Sequence, residues 1–188
     1  IKSLKIEDVR TFHRDFYGAV GQMALVGDFD SKAVQTQLTR LLGEWKAPKN
    51  YQRIAQRLKK DLQPLDIKLA TPDKAQAIFL AALPLAIKDD HPDYPALVLG
   101  NYMLGGGAIH SRIANRLRQQ EGLSYGASSQ FSASTLDPVA QWSAMAIYAP
   151  QNLTRLEAAF NEELAVALKE GFKREEMEAA KTSWLQNQ

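Results

Sequence analysis

Two runs of alternating character, "LSYGASSQFSASTL" at 123–136 and "PVAQWSAMAIYAP" at 138–150, meet at Asp137-Pro138. The segment "NLTRLEAAFNEELAVALKEG" follows at once. This succession constrains the fold more than any other stretch of the chain. Side chains of a strand alternate between its two faces, so each run presents one inner and one outer face. The segment after them carries Leu153, Leu156, Phe160, Leu164 and Leu168 at helical spacing, and Gly171 supplies a stop. A strand pair with one apolar face and a helix with one apolar stripe bury each other only by stacking in layers.

The remainder of the chain extends the same architecture. "IEDVRTFHRDFYG" has Ile6, Val9, Phe12 and Phe16 at helical steps. "QMALVGDFD" reads as a short buried strand, and Asp30 or Ser31 then caps a helix carrying Val34, Leu38, Leu41 and Leu42. From Glu44 to Lys74 the periodicity weakens, and Pro48, Pro64 and Pro72 predict an extended surface connection. "KAQAIFLAALPL" reads as a second buried strand. "HPDYPALVLGNYMLGG" and "SRIANRLRQQEG" read as two helices, the first ending at Gly105–Gly107 and the second at Gly122. The order of elements predicts an α+β fold: a mixed, largely antiparallel sheet with helices packed on one face.

With 188 residues, 45% apolar and 23% charged, the chain has enough material for one ordinary domain with its own core. A net charge of +2 gives no footprint for nucleic acid or an anionic membrane. No apolar run approaches the roughly 20 residues of a membrane span. Zero cysteines exclude disulfides and cysteine-ligated zinc, and fit a periplasmic or a cytoplasmic setting equally. The opening "IKSLKIEDVR" and the closing "EAAKTSWLQNQ" read as cuts through a longer protein, so a piece of a larger chain is expected, with 1–188 as a single domain.

Several chemistries are poorly served by the residues present. His13, His91 and His110 are far apart in sequence, and no two fall within one helical turn, as a zinc peptidase helix would require. The triple glycine at 105–107 matches neither a phosphate-binding loop nor a dinucleotide fingerprint. It reads as a flexible joint between helices, or as a place where another chain approaches the backbone closely. The acidic pairs Glu162-Glu163 and Glu175-Glu176 read as plain solvent-facing charge. Arg118 and Tyr125, with Gly122 between them, remain. Spacing alone favours a surface arginine and a half-buried strand tyrosine. The chemical alternative is a fixed guanidinium fork and a phenol converging on one carbonyl.

The segments "EDVRTFHRDFYGAVGQMALVGDFD", "HPDYPALVLGNYMLGGGAIHSRIANRLRQQEGLSYGASSQFSA" and "GFKREEMEAAKTSW" together resemble the C-terminal-type domain of the pitrilysin/insulinase (M16) family of zinc peptidases. The likeness implies a metallohydrolase-like domain of the LuxS/MPP type, two or four of which enclose an unfolded peptide. It implies Arg118 as a substrate-binding residue on a backbone carbonyl. It implies Tyr125 as a catalytic residue donating to the oxyanion, with Gly122 allowing the sharp turn and Gly126 keeping the strand clear beside the phenol. In that family zinc is held by an H-x-x-E-H motif, whose glutamate activates water. That motif does not occur here. The expected cofactor is therefore zinc bound outside this chain, with none held by the chain itself. The expected partners are a peptide substrate and an N-terminal zinc-bearing domain or partner subunit. An apolar face left uncovered in the fragment could also support a homo-oligomer. The second reading is a non-catalytic partner or structural subunit of an M16-type assembly.

Overall fold

A computed structural model describes residues 2–18, 21–50, 52–59, 61–107 and 110–186. They group into two compact units, residues 1–54 and 55–188.

The first unit holds α1 (Ile6–Phe16) and α2 (Ser31–Leu42). Asp8 accepts the backbone N–H of Lys5 at 2.8 Å and closes the start of α1. Asp30 caps α2 by accepting from the N–H groups of Lys32 and Ala33. The strand expected at "QMALVGDFD" is not formed. Met23, Leu25, Val26 and Phe29 are exposed, and among the described residues of this unit none forms a ladder with the segment. An extended run becomes a strand only when a neighbour accepts and donates its backbone hydrogen bonds.

In the second unit the sheet is β1 (Ala77–Leu85), β2 (Ser124–Ala133) and β3 (Ala140–Tyr148), ordered β1-β3-β2 and wholly antiparallel. As expected, no helix or strand interrupts the described residues of 44–74. Pro84 lies on β1, where an edge strand tolerates a missing N–H. The β2–β3 turn is tied by Ser134, whose Oγ accepts from the N–H groups of Leu136 and Asp137. Across the core face the register aligns Phe79, Ala146 and Ala127. The two alanines make room for Phe160 of α5 (Leu153–Glu170), whose ring sits 4.9 Å from that of Phe79.

Leu156 and Phe160 are buried with Ile113, Leu117 and Leu123 in one cluster. Each such side chain contributes about 1.5–3 kcal/mol by burial. Leu168, the last member of the expected stripe, is 87% exposed. Three four-residue steps from Leu156 accumulate a rotation of about 120°, enough to carry it off the buried face. On the opposite face of the sheet Ile78, Leu80 and Met145 stand exposed.

Both central helices widen into π-helical turns. α3 (Tyr94–Asn101) continues as a π segment at Tyr102–Gly106, and α4 (Arg112–Ala114) continues as one at Asn115–Gln120. The glycine run is not a loose joint. Gly105 is buried against β2, and a Cβ on it would stand 2.6 Å from the backbone nitrogen of Ser129. The close approach is to the chain's own strand. Asn101 reinforces it: its Oδ1 accepts from Ser129 Oγ at 2.7 Å and from the Trp142 indole at 3.1 Å.

α6 (Arg174–Gln186) is held by a part-buried ion pair. Arg112 donates to both carboxylate oxygens of Glu176, at 2.9 and 2.7 Å, and to the Gly171 carbonyl, and its guanidinium lies over the Phe172 ring. Glu176 is therefore not plain charge. The Arg112 hydrogen bonds lower its carboxyl from 4.5 to about 2, with the Lys173 backbone N–H adding to the effect against an opposing cost of burial. A depressed carboxyl pKa stabilises the fold above the unfolded value, and that stability disappears as pH falls from about 4.5 towards 2. After discounting for a side chain that is 35% exposed, the pair contributes about 1–2 kcal/mol at neutral pH. Glu176→Gln should therefore be less stable than the parent to urea at pH 7 and nearly equal to it at pH 2.5. A gap of the same size at both pH values would show that the ion pair is not its source.

Candidate functional site

Arg118 and Tyr125, with Gly122 between them in sequence, meet at one end of the sheet. Leu117 and Leu123 are buried in the core, and they anchor the chain on either side of the turn that separates α4 from β2. The Leu123 N–H donates to the Leu117 carbonyl at 2.9 Å, and Gly122 between them takes φ +63°. That left-handed conformation is costly for a residue with a Cβ, so the turn needs this glycine.

Arg118 lies on the π segment, exposed. The same segment is fastened to α5 by charge. Arg116 pairs with Glu162 at 2.8 Å and with Glu121 at 3.3 Å, and Glu121 also takes Arg155. Among the described residues no carboxylate pairs with Arg118.

Tyr125 is 79% exposed, not half-buried. The pairing of β2 with β3 shifts at this point: Ser124 faces Tyr148 and Gly126 faces Ile147, so Tyr125 is an extra residue with no partner. Buried positions on β2 accordingly run 124, 127, 129, a step of three where a regular strand takes two. The bulge is what allows Tyr125 to point outward while Ala127 still reaches the core. A Cβ on Gly126 would meet nothing within 4 Å, so the space at this glycine, next to Tyr125, is open.

The Arg118 guanidinium carbon sits 5.8 Å from the centre of the Tyr125 ring, within cation–π range. Both side chains line a cleft of about 630 Å³, together with Gly122, Ser124, Tyr148 and Asn152. Two hydrogen-bond donors on one open cleft can address one carbonyl-rich ligand.

Among the described residues no group of three His, Asp or Glu side chains is placed to hold a metal ion. His13 stacks between Tyr17 and Trp45, His91 accepts from the Asp93 N–H, and His110 lines a separate cleft of about 300 Å³ beside α6. No helix among the described residues is long and apolar enough to cross a membrane.

Comparison with solved structures places this fold. A peptidase M16 inactive domain from Pseudomonas fluorescens superposes with a TM-score of 0.66 at 26% identity, over 98% of this chain and 44% of that one. A protease from Helicobacter pylori gives 0.64 at 16% identity, over 99% of this chain and 45% of that one. The periplasmic protease PqqL from Escherichia coli gives 0.59 at 17% identity, over 86% of this chain and 18% of that one. This chain thus spans less than half the length of each. No curated protein sequence matches it. The family model described as "Peptidase M16 inactive domain" matches residues 3–183, across both compact units, and the chain belongs to that family.

Proposed function

We propose that this chain is the substrate-binding and oxyanion-stabilising domain of a zinc-dependent endopeptidase acting on peptides. The observation that carries the reading is the bulge at Tyr125, which presents an exposed phenol beside Arg118 on one open cleft. Arg118 holds a backbone carbonyl of an extended peptide. Tyr125 donates its hydroxyl proton to the oxygen that gains charge at the scissile carbonyl. An H-x-x-E-H domain or partner subunit outside this chain would hold zinc, which would supply the activated water. The relatives described as proteases support the class of activity. The family description "inactive domain" supports a division of labour in which the metal lies elsewhere.

The second reading is a non-catalytic subunit of the same kind of assembly. It is favoured by that same description, but leaves the exposed Arg118, which pairs with no carboxylate among the described residues, and the bulged Tyr125 without a role. The exposed apolar strip at Ile78, Leu80 and Met145 suits burial against a further domain or a second copy in either case.

Combining the chain with its H-x-x-E-H partner should yield cleavage of an unfolded peptide that a zinc chelator abolishes. The 188-residue chain alone should neither cleave the peptide nor retain zinc through dialysis. Stoichiometric zinc held by the lone chain would overturn the division of labour. A zinc-loaded assembly without peptidase activity would favour the non-catalytic subunit.

A further inference from the structure

Resting on the reading of Tyr125 as an oxyanion donor, we propose that Ser124 is the positioning residue that holds the tyrosine in its outward, reactive placement. Ser124 is 6% exposed, on the core side of the strand, directly before the bulged residue. Its Oγ lies 2.8 Å from the carbonyl oxygen of Gly126 and 2.8 Å from that of Ile147. The first carbonyl belongs to the residue just past Tyr125, on the same strand. The second belongs to the facing strand, at the position where the register shifts. One hydroxyl proton, shared between the two acceptors, therefore ties both sides of the bulge together.

The alternative for this segment is a regular ladder. Removing the extra residue would move every following side chain to the opposite face, or turn Tyr125 away from the cleft. Burial of Ala127 and Ser129 opposes the first outcome. Nothing in the core opposes small excursions of the second kind, because Tyr125 itself makes little buried contact and Gly126 leaves open space beside it. The Ser124 staple is the restraint on the backbone that carries the phenol, and the Arg118 guanidinium contacts the ring itself. A hydroxyl on a buried strand position is thus a functional device and not simply a tolerated polar group.

The test is a kinetic double-mutant cycle on the assembled, zinc-bearing protein, with Ser124→Ala, Ser124→Thr and Tyr125→Phe. Ser124→Ala should lower kcat by ~10-fold or more with KM nearly unchanged, since a displacement of about an ångström at a reacting group is costly. Ser124→Thr, which keeps the hydroxyl, should restore most of the rate. Ser124→Ala added to Tyr125→Phe should cost nothing further, since the hydroxyl it positions is already gone. In the 188-residue chain, nuclear Overhauser contacts between the Tyr125 ring and the Arg118 side chain should weaken in Ser124→Ala and persist in Ser124→Thr.

A Ser124→Ala protein with parental kcat and intact Tyr125–Arg118 contacts would overturn the proposal. So would an effect that adds in full to that of Tyr125→Phe, because Ser124 would then act by another route. Should Tyr125→Phe itself turn over at the parental rate, the oxyanion reading fails, and the ring contacts alone then decide whether Ser124 orders the bulge.

Discussion

Tyr125→Phe, in the assembled zinc-bearing protein, should lower kcat by ~10²–10³ with little change in KM. The substitution removes one oxygen and keeps the ring. The cation–π contact with the Arg118 guanidinium at 5.8 Å survives, as does the bulge that projects the side chain. Stability should be unchanged because the side chain is 79% exposed. Any loss of rate therefore reports the hydroxyl alone. A donor that meets charge only as the carbonyl is attacked contributes to the transition state and not to the ground state, which is why kcat and not KM should move. Arg118→Ala should behave differently. It removes a contact with the bound peptide, so KM should rise, and the misplaced peptide should lower kcat as well. Parental turnover of the Tyr125→Phe protein, measured with a quenched fluorescent peptide, would end the oxyanion reading.

The elements around this site were legible in the sequence to different depths, for physical reasons. Alternation over 123–150 and the stripe on α5 identify strands and helix because each side chain's burial follows directly from the period of its element. Gly122 was legible as a stop because a positive φ selects glycine. The bulge at Tyr125 was not, since it is a mismatch between two strands and no single strand records it. Nor were the π turns, which no residue type in these segments marks. "QMALVGDFD" has the composition of a strand, but composition does not supply a partner for its backbone. Glu176 looked like ordinary surface charge because its arginine lies 64 residues away. Arg118 and Tyr125 stood out through family resemblance, and spacing alone pointed to something blander. Ser124 had no signal at all, as a serine on an alternating strand is unremarkable until its oxygen is seen between two carbonyls.

The glycine run shows how a correct location can carry the wrong reason. Glycines at 105–107 suggest freedom, yet Gly105 sits where a helix turn touches a strand. Gly105→Ala should therefore destabilise the fold by about 3 kcal/mol, the upper part of the range for overpacking a tight contact. A new Cβ would meet the Ser129 backbone nitrogen at 2.6 Å and the Ser129 Cβ at 2.7 Å. Neither atom can swing away, because β2 is fixed by its ladder to β3 and Ser129 pairs there with Ala144. Relief would have to come from shifting the Tyr102–Gly106 turn outward, which would stretch the Asn101 bonds to Ser129 and to the Trp142 indole. A polar side chain that serves both strands would lose its partners together, which is why the effect should exceed that of a simple surface substitution. For a chain of this size the loss corresponds to a fall in Tm of roughly 6–12 °C. Gly100→Ala provides the contrast, since a Cβ there would meet nothing within 4 Å. Thermal unfolding of both variants in parallel checks the argument: a Gly105→Ala protein that melts within a degree or two of the parent would mean that the helix and strand are free to part, as a flexible joint would allow.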